Sequence, residues 1–464
     1  MTLIKSISGI RGTIGGRPGE GLSPLDVVKY TAAYGAWAKE NAQGKEKIKI
    51  VVGRDARISG PMVSQLVIAT LVGSGIDVVH LGLATTPTTE MAVTDYKADG
   101  GLILTASHNP KQWNALKLLD SNGEFLNGVE GEKVLALAEN GQFTFAQVDQ
   151  LGKVTEITDY DDAHIQHILK LKWVDVDAIR KANLKVVFDG INSVGGIILP
   201  KLFKALGVEQ VVALNAEATG NFAHTPEPLP ENLTQISRAM VQHKAHVGFV
   251  VDPDVDRLAI VNEDGTMFGE EYTLVAIADY LLSKTPGNTV SNLSSTRALR
   301  DVTEKHGGTY SAAAVGEVNV VTQMKNVHAV IGGEGNGGII YPELHYGRDA
   351  LVGIALFLTQ LAMSGKTCKQ LRATYPEYFI SKNKIELTPD IDVDAVLVQM
   401  KQKYTHEKVN DIDGVKIDFA TEWVHLRKSN TEPIIRIYAE SKTEEKAAQL
   451  AEKIIGEIKE VAKI

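Results

Sequence analysis

Asp252, Asp254 and Asp256 place three carboxylates within five residues. Alternate residues of an extended segment point to one side, so all three can converge. Convergent carboxylates repel one another unless a cation neutralises them. Hard oxygen ligands in this number suit Mg²⁺, with positions left for water or phosphate. A solvated acidic turn is the plainer alternative. The spacing also resembles the start of an EF-hand loop, with Glu263 at its twelfth position. However, Arg257 stands sixth, where that loop needs glycine, and an apolar strand precedes it instead of a helix.

Three other segments could do chemistry. Thr105-Ala106-Ser107-His108-Asn109-Pro110 sets a serine beside a histidine at the end of an apolar run. Turn residues alone would explain Asn109-Pro110. Helped by a base or a metal, the Ser107 hydroxyl could serve as nucleophile or phosphate carrier. No Gly-x-Ser-x-Gly elbow surrounds it, which weighs against an α/β-hydrolase. Gly333-Glu334-Gly335-Asn336-Gly337-Gly338 formally matches a dinucleotide fingerprint and raises a nicotinamide-dependent oxidoreductase. That fingerprint must open a helix whose N-terminus holds pyrophosphate. Here Ile339-Ile340-Tyr341-Pro342 is β-like and then broken by proline, so a loop presenting Glu334 and Asn336 to hydroxyl groups fits better. Arg427-Lys428-Ser429-Asn430-Thr431-Glu432-Pro433 and Arg436 gather cations and small hydrogen-bonding side chains suited to a phosphate dianion. An ordinary charged surface turn is the alternative.

The elements that must position these loops are legible as apolar runs separated by helical patterns, which implies α/β layers. The runs fall into three comparable sets: Lys47–Val52, Asp77–Leu81 and Gly101–Thr105; Lys185–Phe188, Gln210–Leu214 and Val247–Val251; Asn288–Ser291, Thr309–Ala312 and His328–Ile331. The last run of each set enters one of the polar loops above. Ligands of open α/β sheets sit beyond the carboxyl ends of strands, so three such loops could converge on one cleft. The final stretch differs. Ile434–Ala439 alternates like a half-buried strand and Lys442–Ile464 is an amphipathic helix, which suggests a smaller α+β domain. The expected boundaries are 1–155, 156–255, 256–370 and 371–464.

With 464 residues, several domains are expected, since one core rarely exceeds about 250–300 residues. The 48 basic and 57 acidic residues give a net charge of −9, against a general nucleic-acid-binding surface. The lone Cys368 cannot form an internal disulfide or a multi-cysteine zinc site. Leu351–Gly365 is too short to span a bilayer and reads as a buried helix, and Met1–Gly12 shows no secretory signal. Together these suggest a soluble cytoplasmic protein with neither nucleic acid nor membrane as partner.

Taken together, the loops resemble those of the α-D-phosphohexomutase superfamily over essentially the whole chain. Ser8-Gly9-Ile10-Arg11-Gly12 resembles that family's N-terminal signature. The resemblance implies an α/β fold of three similar domains with mixed sheets, plus the C-terminal α+β domain, around a central cleft. It implies that phosphorylated Ser107 exchanges its phosphoryl group with a hexose phosphate through a hexose 1,6-bisphosphate. Mg²⁺ would lie on Asp252, Asp254, Asp256 and the phosphate of Ser107, with Arg11, Lys117, His108 and Arg257 nearby. Glu334 and Asn336 would read sugar hydroxyls; Arg427, Ser429, Asn430, Thr431 and Arg436 would clamp the other phosphate. The sugar loop looks most like that of archaeal-type phosphoglucosamine mutases, and phosphomannomutase/phosphoglucomutase relatives are similar. There are two departures: Ala115 stands where glycine is usual, and Gly338 where many relatives have histidine. Proton transfer then falls to Lys117 and His108, with His345 as an outside candidate or an ordinary surface histidine. As a base, Lys117 needs a lowered pKa, which Arg11 and Mg²⁺ could provide.

Overall fold

The computed structural model describes residues 1–6, 9–386, 391–428 and 434–462. The chain forms two compact units, Met1–Thr273 with Asn336–Leu371, and Leu274–Gly335 with Arg372–Ile464.

The first unit holds two sheets. One has strands β1 (Leu3–Ser6), β2 (Gly9–Thr13), β3 (Lys49–Arg54), β4 (Asp77–Leu83), β5 (Gly100–Leu104), β6 (Trp113–Leu119) and β7 (Val154–Glu156), in the order β1-β2-β6-β5-β3-β4-β7. Ile50, Val52, Leu102 and Leu104 pack into one apolar cluster, and Val51 and Ile103 into another. Burial on both faces explains why β3 and β5 read as unbroken apolar runs. Two helices of this unit start on side-chain caps. Ser23 and Asp26 form a reciprocal capping box on Pro24–Asn41, and Thr85 caps Thr86–Asp95.

The second sheet has β8 (Lys185–Asp189), β9 (Gln210–Leu214), β10 (Val247–Val251) and β11 (Leu258–Asn262), ordered β11-β10-β8-β9. Strand β11 returns antiparallel to β10, with Val251 opposite Leu258. The second sheet therefore continues past residue 255, where the sequence places a boundary. In both sheets a buried parallel strand, β5 or β10, turns into an antiparallel partner, β6 or β11. The serine loop and the acidic loop are these two turns. The unit is completed by the short strand Gly338–Ile340 and the buried helix Ala350–Ser364, capped by Asp349.

The second unit contains parallel strands Asn288–Asn292, Tyr310–Ala313 and Ala329–Glu334, with Asn288–Asn292 between the others. It also contains an antiparallel five-stranded sheet formed by Phe379–Glu386, Lys408–Asn410, Val415–Asp418, Trp423–Lys428 and Ile434–Ser441. Helices Val393–Lys403 and Glu444–Ala462 bury Met400, Ile454 and Ile458 against Val424, Leu426, Ile435 and Ile437. Among the described residues no helix is long and apolar enough to cross a membrane.

Candidate active site

Ser107 begins the turn after β5 with φ 48°, a left-handed conformation uncommon outside glycine. Its amide donates to Thr105 Oγ1 at 2.9 Å, and Thr105 Oγ1 donates to Asp55 Oδ2 at 2.7 Å. The turn is held mainly by Arg57, which is fully buried. Its guanidinium pairs with Asp55 at 3.0 Å and donates to the carbonyls of Pro110 at 2.8 Å, Trp113 at 3.0 Å and Asn109 at 2.7 Å, and also to that of Ser107. A buried cation thus collects the carbonyls of a strained turn, which leaves the Ser107 hydroxyl free to face elsewhere.

That hydroxyl donates to Asp252 Oδ2 at 2.6 Å. Asp252 Oδ1 accepts the amides of Asp256 and Arg257, both at 3.1 Å, and Val255 just before them has φ 63°, strained for a β-branched residue. Thr86 Oγ1 at 2.6 Å and Lys117 Nζ at 2.7 Å donate to Asp254 Oδ2, and Arg348 donates to Asp256 Oδ2 at 2.7 Å. The loop backbone is tied down as well: Ser193 Oγ donates to the Pro253 carbonyl at 2.7 Å, and the Ala350 amide to the Val255 carbonyl at 3.2 Å.

The three aspartates are fully buried, with one oxygen of each within 4.8 Å of the others. Asp254 Oδ1 and Asp256 Oδ1 are buried without a hydrogen-bond partner. Such oxygens are costly unless something cationic meets them. Burial, then Asp256 and Asp254, push the Asp252 carboxyl well above its ordinary range. Burial alone would raise Asp254 too, but Lys117 and Thr86 hold it below the ordinary range. A hard divalent cation fits this donor set.

Arg11 and Lys117 reach this site from one sheet face. Arg11 on β2 lies opposite Ala115 on β6, and Ala115 and Lys117 are alternate residues of β6. Arg11 Nη1 donates to Asn109 Oδ1 at 2.8 Å. The lowered pKa expected of Lys117 is not found. Burial disfavours its ammonium, but Asp254 and Asp256 outweigh that and raise its pKa. His108 Nδ1 lies 3.4 Å from Ser107 Oγ. Burial, then Arg257 and Arg11, push its pKa down to about 2, so the ring is neutral. His345 is no ordinary surface histidine. It lies 3.4 Å from Glu90 and 3.3 Å from Asp349, and Asp349 also pairs with the buried His164 at 2.9 Å.

Asn336 Oδ1 accepts the Gly338 amide at 3.2 Å. Gly338 begins a strand, so the glycine-rich loop opens no helix and the dinucleotide reading loses its structural basis. In the second unit, Glu334 Oε1 accepts from Asn292 Nδ2 at 3.0 Å and the Gly316 amide at 3.2 Å. Arg427 pairs with Asp413 at 2.9 Å, and its strand neighbour directly opposite is the exposed Arg436. Ser429, Asn430 and Thr431, like Ser8, lie outside the described residues.

The sequence reading missed Arg57, Asp55, Thr86 and Arg348. The first two lie in Gly53-Arg54-Asp55-Ala56-Arg57, at the carboxyl end of β3 beside β5. A charged run at a central strand's end was the available signal.

Models of the phosphoglucomutase/phosphomannomutase domains match this chain in order. Alpha/beta/alpha domain I covers residues 3–145, domain II 162–265, domain III 269–378 and the C-terminal domain 386–457. A phosphoglucomutase/phosphomannomutase of Thermococcus kodakarensis is 34% identical, covering 97% of this chain and 99% of that protein. A probable phosphoglucosamine mutase of Methanopyrus kandleri is 30% identical, covering 97% of this chain and 96% of that protein. The solved structure of a phosphoglucomutase/phosphomannomutase family protein from Burkholderia thailandensis has a TM-score of 0.85 at 25% identity, covering 99% of this chain and 97% of that one. With matches to all four domains and relatives aligned over nearly its full length, the chain belongs to the phosphoglucomutase/phosphomannomutase family of the α-D-phosphohexomutase superfamily.

Proposed function

We propose that the protein interconverts hexose 6-phosphate and hexose 1-phosphate through a phosphoserine at Ser107. The observation that carries this is the 2.6 Å hydrogen bond from Ser107 to Asp252, beside two buried aspartate oxygens that lack hydrogen-bond partners. In the first half-reaction the bond between phosphorus and Ser107 Oγ breaks as one forms to the free sugar hydroxyl, whose lost proton is balanced by the one the leaving Oγ gains; the second half-reaction is the reverse at the other sugar position. The hexose 1,6-bisphosphate turns over and returns its other phosphoryl group to Ser107. Free bisphosphate would recharge a dephosphorylated serine.

Mg²⁺ held by Asp252, Asp254 and Asp256 would supply positive charge against the phosphoryl oxygens. Lys117 stays an ammonium and adds a second positive charge, as do Arg11 and Arg257. Arg57 fixes the turn so that Oγ points at the acidic loop. In the second unit, Arg427 and Arg436 stand opposite each other across two strands. Like charges so placed repel. Asp413 relieves part of this, and a phosphate dianion gripped with Ser429, Asn430 and Thr431 would relieve the rest. Glu334 and Asn336 would take the sugar's 3- and 4-hydroxyls.

The substrate reading is glucosamine phosphate. Glucose and mannose phosphates form the second reading, favoured by the 34% identity to a phosphoglucomutase/phosphomannomutase. The 3- and 4-hydroxyls do not separate glucosamine from glucose. Turnover of glucosamine, glucose and mannose 6-phosphates, assayed side by side on phosphorylated protein, decides between them. A cytoplasmic location goes with these substrates. Failure to turn over any of the three would refute the proposed activity.

A further inference from the structure

Gly338 is glycine for a reason its backbone does not give. It sits in a strand, and a Cβ built on it would lie 2.4 Å from Arg348 Cδ and 3.0 Å from Arg348 Cγ. Gly337, one residue earlier, has a positive φ of 83° and needs glycine for conformation. At Gly338 the constraint is space: the Arg348 stem lies across its Cα. Residues 338 and 348 cannot both have full side chains here.

The backbone holds Arg348 in this position. Ile340 and Arg348 form an antiparallel bridge, and the Asp349 amide donates to the Ile339 carbonyl at 2.8 Å. Asp349 is itself fixed. It caps the helix Ala350–Ser364 and pairs with His164 and His345. From this anchor the Arg348 side chain, only 10% exposed, crosses Gly338 and donates Nη2 to Asp256 Oδ2 at 2.7 Å.

The contact settles which way a carboxylate faces. Lys117 grips Asp254 by Oδ2 at 2.7 Å and is farther from Asp256, at 3.5 Å. Arg348 grips Asp256 by its own Oδ2. Both aspartates are thus gripped through Oδ2, Asp254 by Lys117 and Asp256 by Arg348 with Lys117 farther off, and in each Oδ1 has no hydrogen-bond partner, with Arg257 Nε 4.0 Å from that of Asp256. Without Arg348, the Asp256 carboxylate would lose its nearest partner and keep only the longer contacts to Lys117 at 3.5 Å and Arg257 at 4.0 Å.

We propose that Arg348 is a positioning residue that orients Asp256 Oδ1 for a divalent cation, and that Gly338 is the vacancy through which it reaches. The inference rests on the metal reading of the aspartate cluster. Partners that orient a ligand typically contribute about 10–100-fold in metal affinity. Lysine in place of Arg348 keeps the charge but loses the planar fork.

The test is Mn²⁺ binding by titration calorimetry, with turnover measured alongside, for wild type, Arg348→Met, Arg348→Lys, Gly338→Ala and the double variant Gly338→Ala/Arg348→Met. Circular dichroism melting establishes that each variant is folded. Arg348→Met should weaken Mn²⁺ binding at least about tenfold and lower kcat, with KM for the sugar phosphate unchanged. Arg348→Lys should recover part of the affinity and serves if the methionine variant does not fold. Gly338→Ala should displace the arginine and weaken Mn²⁺ binding likewise. The double variant should be no worse than Arg348→Met alone, because both changes remove one interaction. Mn²⁺ affinity within twofold of wild type in Arg348→Met or Arg348→Lys would overturn the role of Arg348 alone. Additive losses in the double variant would overturn the proposed coupling. Absence of Mn²⁺ binding by wild type would overturn this inference and the metal reading together.

Discussion

The groups assigned to chemistry and the arginines assigned to phosphate binding are built differently. In the first unit Ser107, Lys117, Arg57 and the three aspartates are all buried, each held by at least one hydrogen bond or ion pair. In the second unit Arg427 is 25% exposed with one carboxylate partner, and Arg436 is exposed. Buried, fixed charges cost stability and need little reorganisation as charge moves during reaction. Exposed arginines bind a ground-state phosphate and give it up again. Changes in the first unit should therefore lower kcat or unfold the protein, while changes in the second should mainly raise KM.

The largest effect is expected from Ser107→Ala. Turnover should fall to background while the melting temperature stays near that of wild type, since the substitution removes one hydroxyl. Retained turnover would break the comparison at its root. Next is Arg57→Ala, which leaves Asp55 buried without its cationic partner and takes a donor from four carbonyls of the serine turn and the start of β6. Removing one member of a buried pair costs roughly 3–5 kcal/mol, so urea unfolding should show a loss of about that size. An unchanged midpoint would mean that the serine turn is held by something else.

Arg427→Ala should raise KM for the sugar phosphate about tenfold or more and change kcat little, as loss of a charged hydrogen bond worth about 1.5–3 kcal/mol would do. A fall in kcat at constant KM would place Arg427 with the chemistry. The smallest effect concerns His425 in the second unit, whose Nε2–H donates to the Asp413 carbonyl at 2.7 Å and whose Nδ1 lies 2.9 Å from Ser294 Oγ. Burial holds its pKa down to about 4. The unfolded chain takes up a proton near pH 6.5, but the folded ring resists until about pH 4. Stability from this group is full above that upper value and is lost as pH falls through the window. The slope is at most about 1.4 kcal/mol per pH unit. His425→Gln should flatten it in urea titrations run across this range, and an unchanged slope would show that another group titrates.

The strands legible in the sequence are continuous apolar runs, buried throughout in Val247–Val251 and partly exposed in Gln210–Leu214. Gln210–Leu214 and Val247–Val251 appear with the expected bounds because a continuous apolar run has sharp ends. The antiparallel strands β1, β2, β6 and β11 were not read. Strands β1, β2 and β6 carry Lys5, Arg11 and Lys117 and show no long apolar run, whereas β11 does carry one, Leu258–Val261, and its pairing with β10 across the acidic loop is what the fold adds. Ser107 and the aspartates were legible because their types and spacing are unusual. Arg57 and Arg348 were not, since a single arginine in a sequence looks exposed. Only the fold shows that one binds four carbonyls and that the other lies across Gly338.

The central claim is that Ser107 carries the phosphoryl group, and intact-mass spectrometry tests it most directly. Dephosphorylated protein is incubated with glucose 1,6-bisphosphate and Mg²⁺; one portion is peptide-mapped, and the intact remainder is mixed with an excess of hexose 6-phosphate. The account expects a gain of one phosphoryl group, located on the peptide containing Ser107, absent from Ser107→Ala, and discharged when the monophosphate is added. No gain in mass, a phosphoryl group on another residue, or a phosphoserine that the sugar phosphate cannot discharge would contradict it.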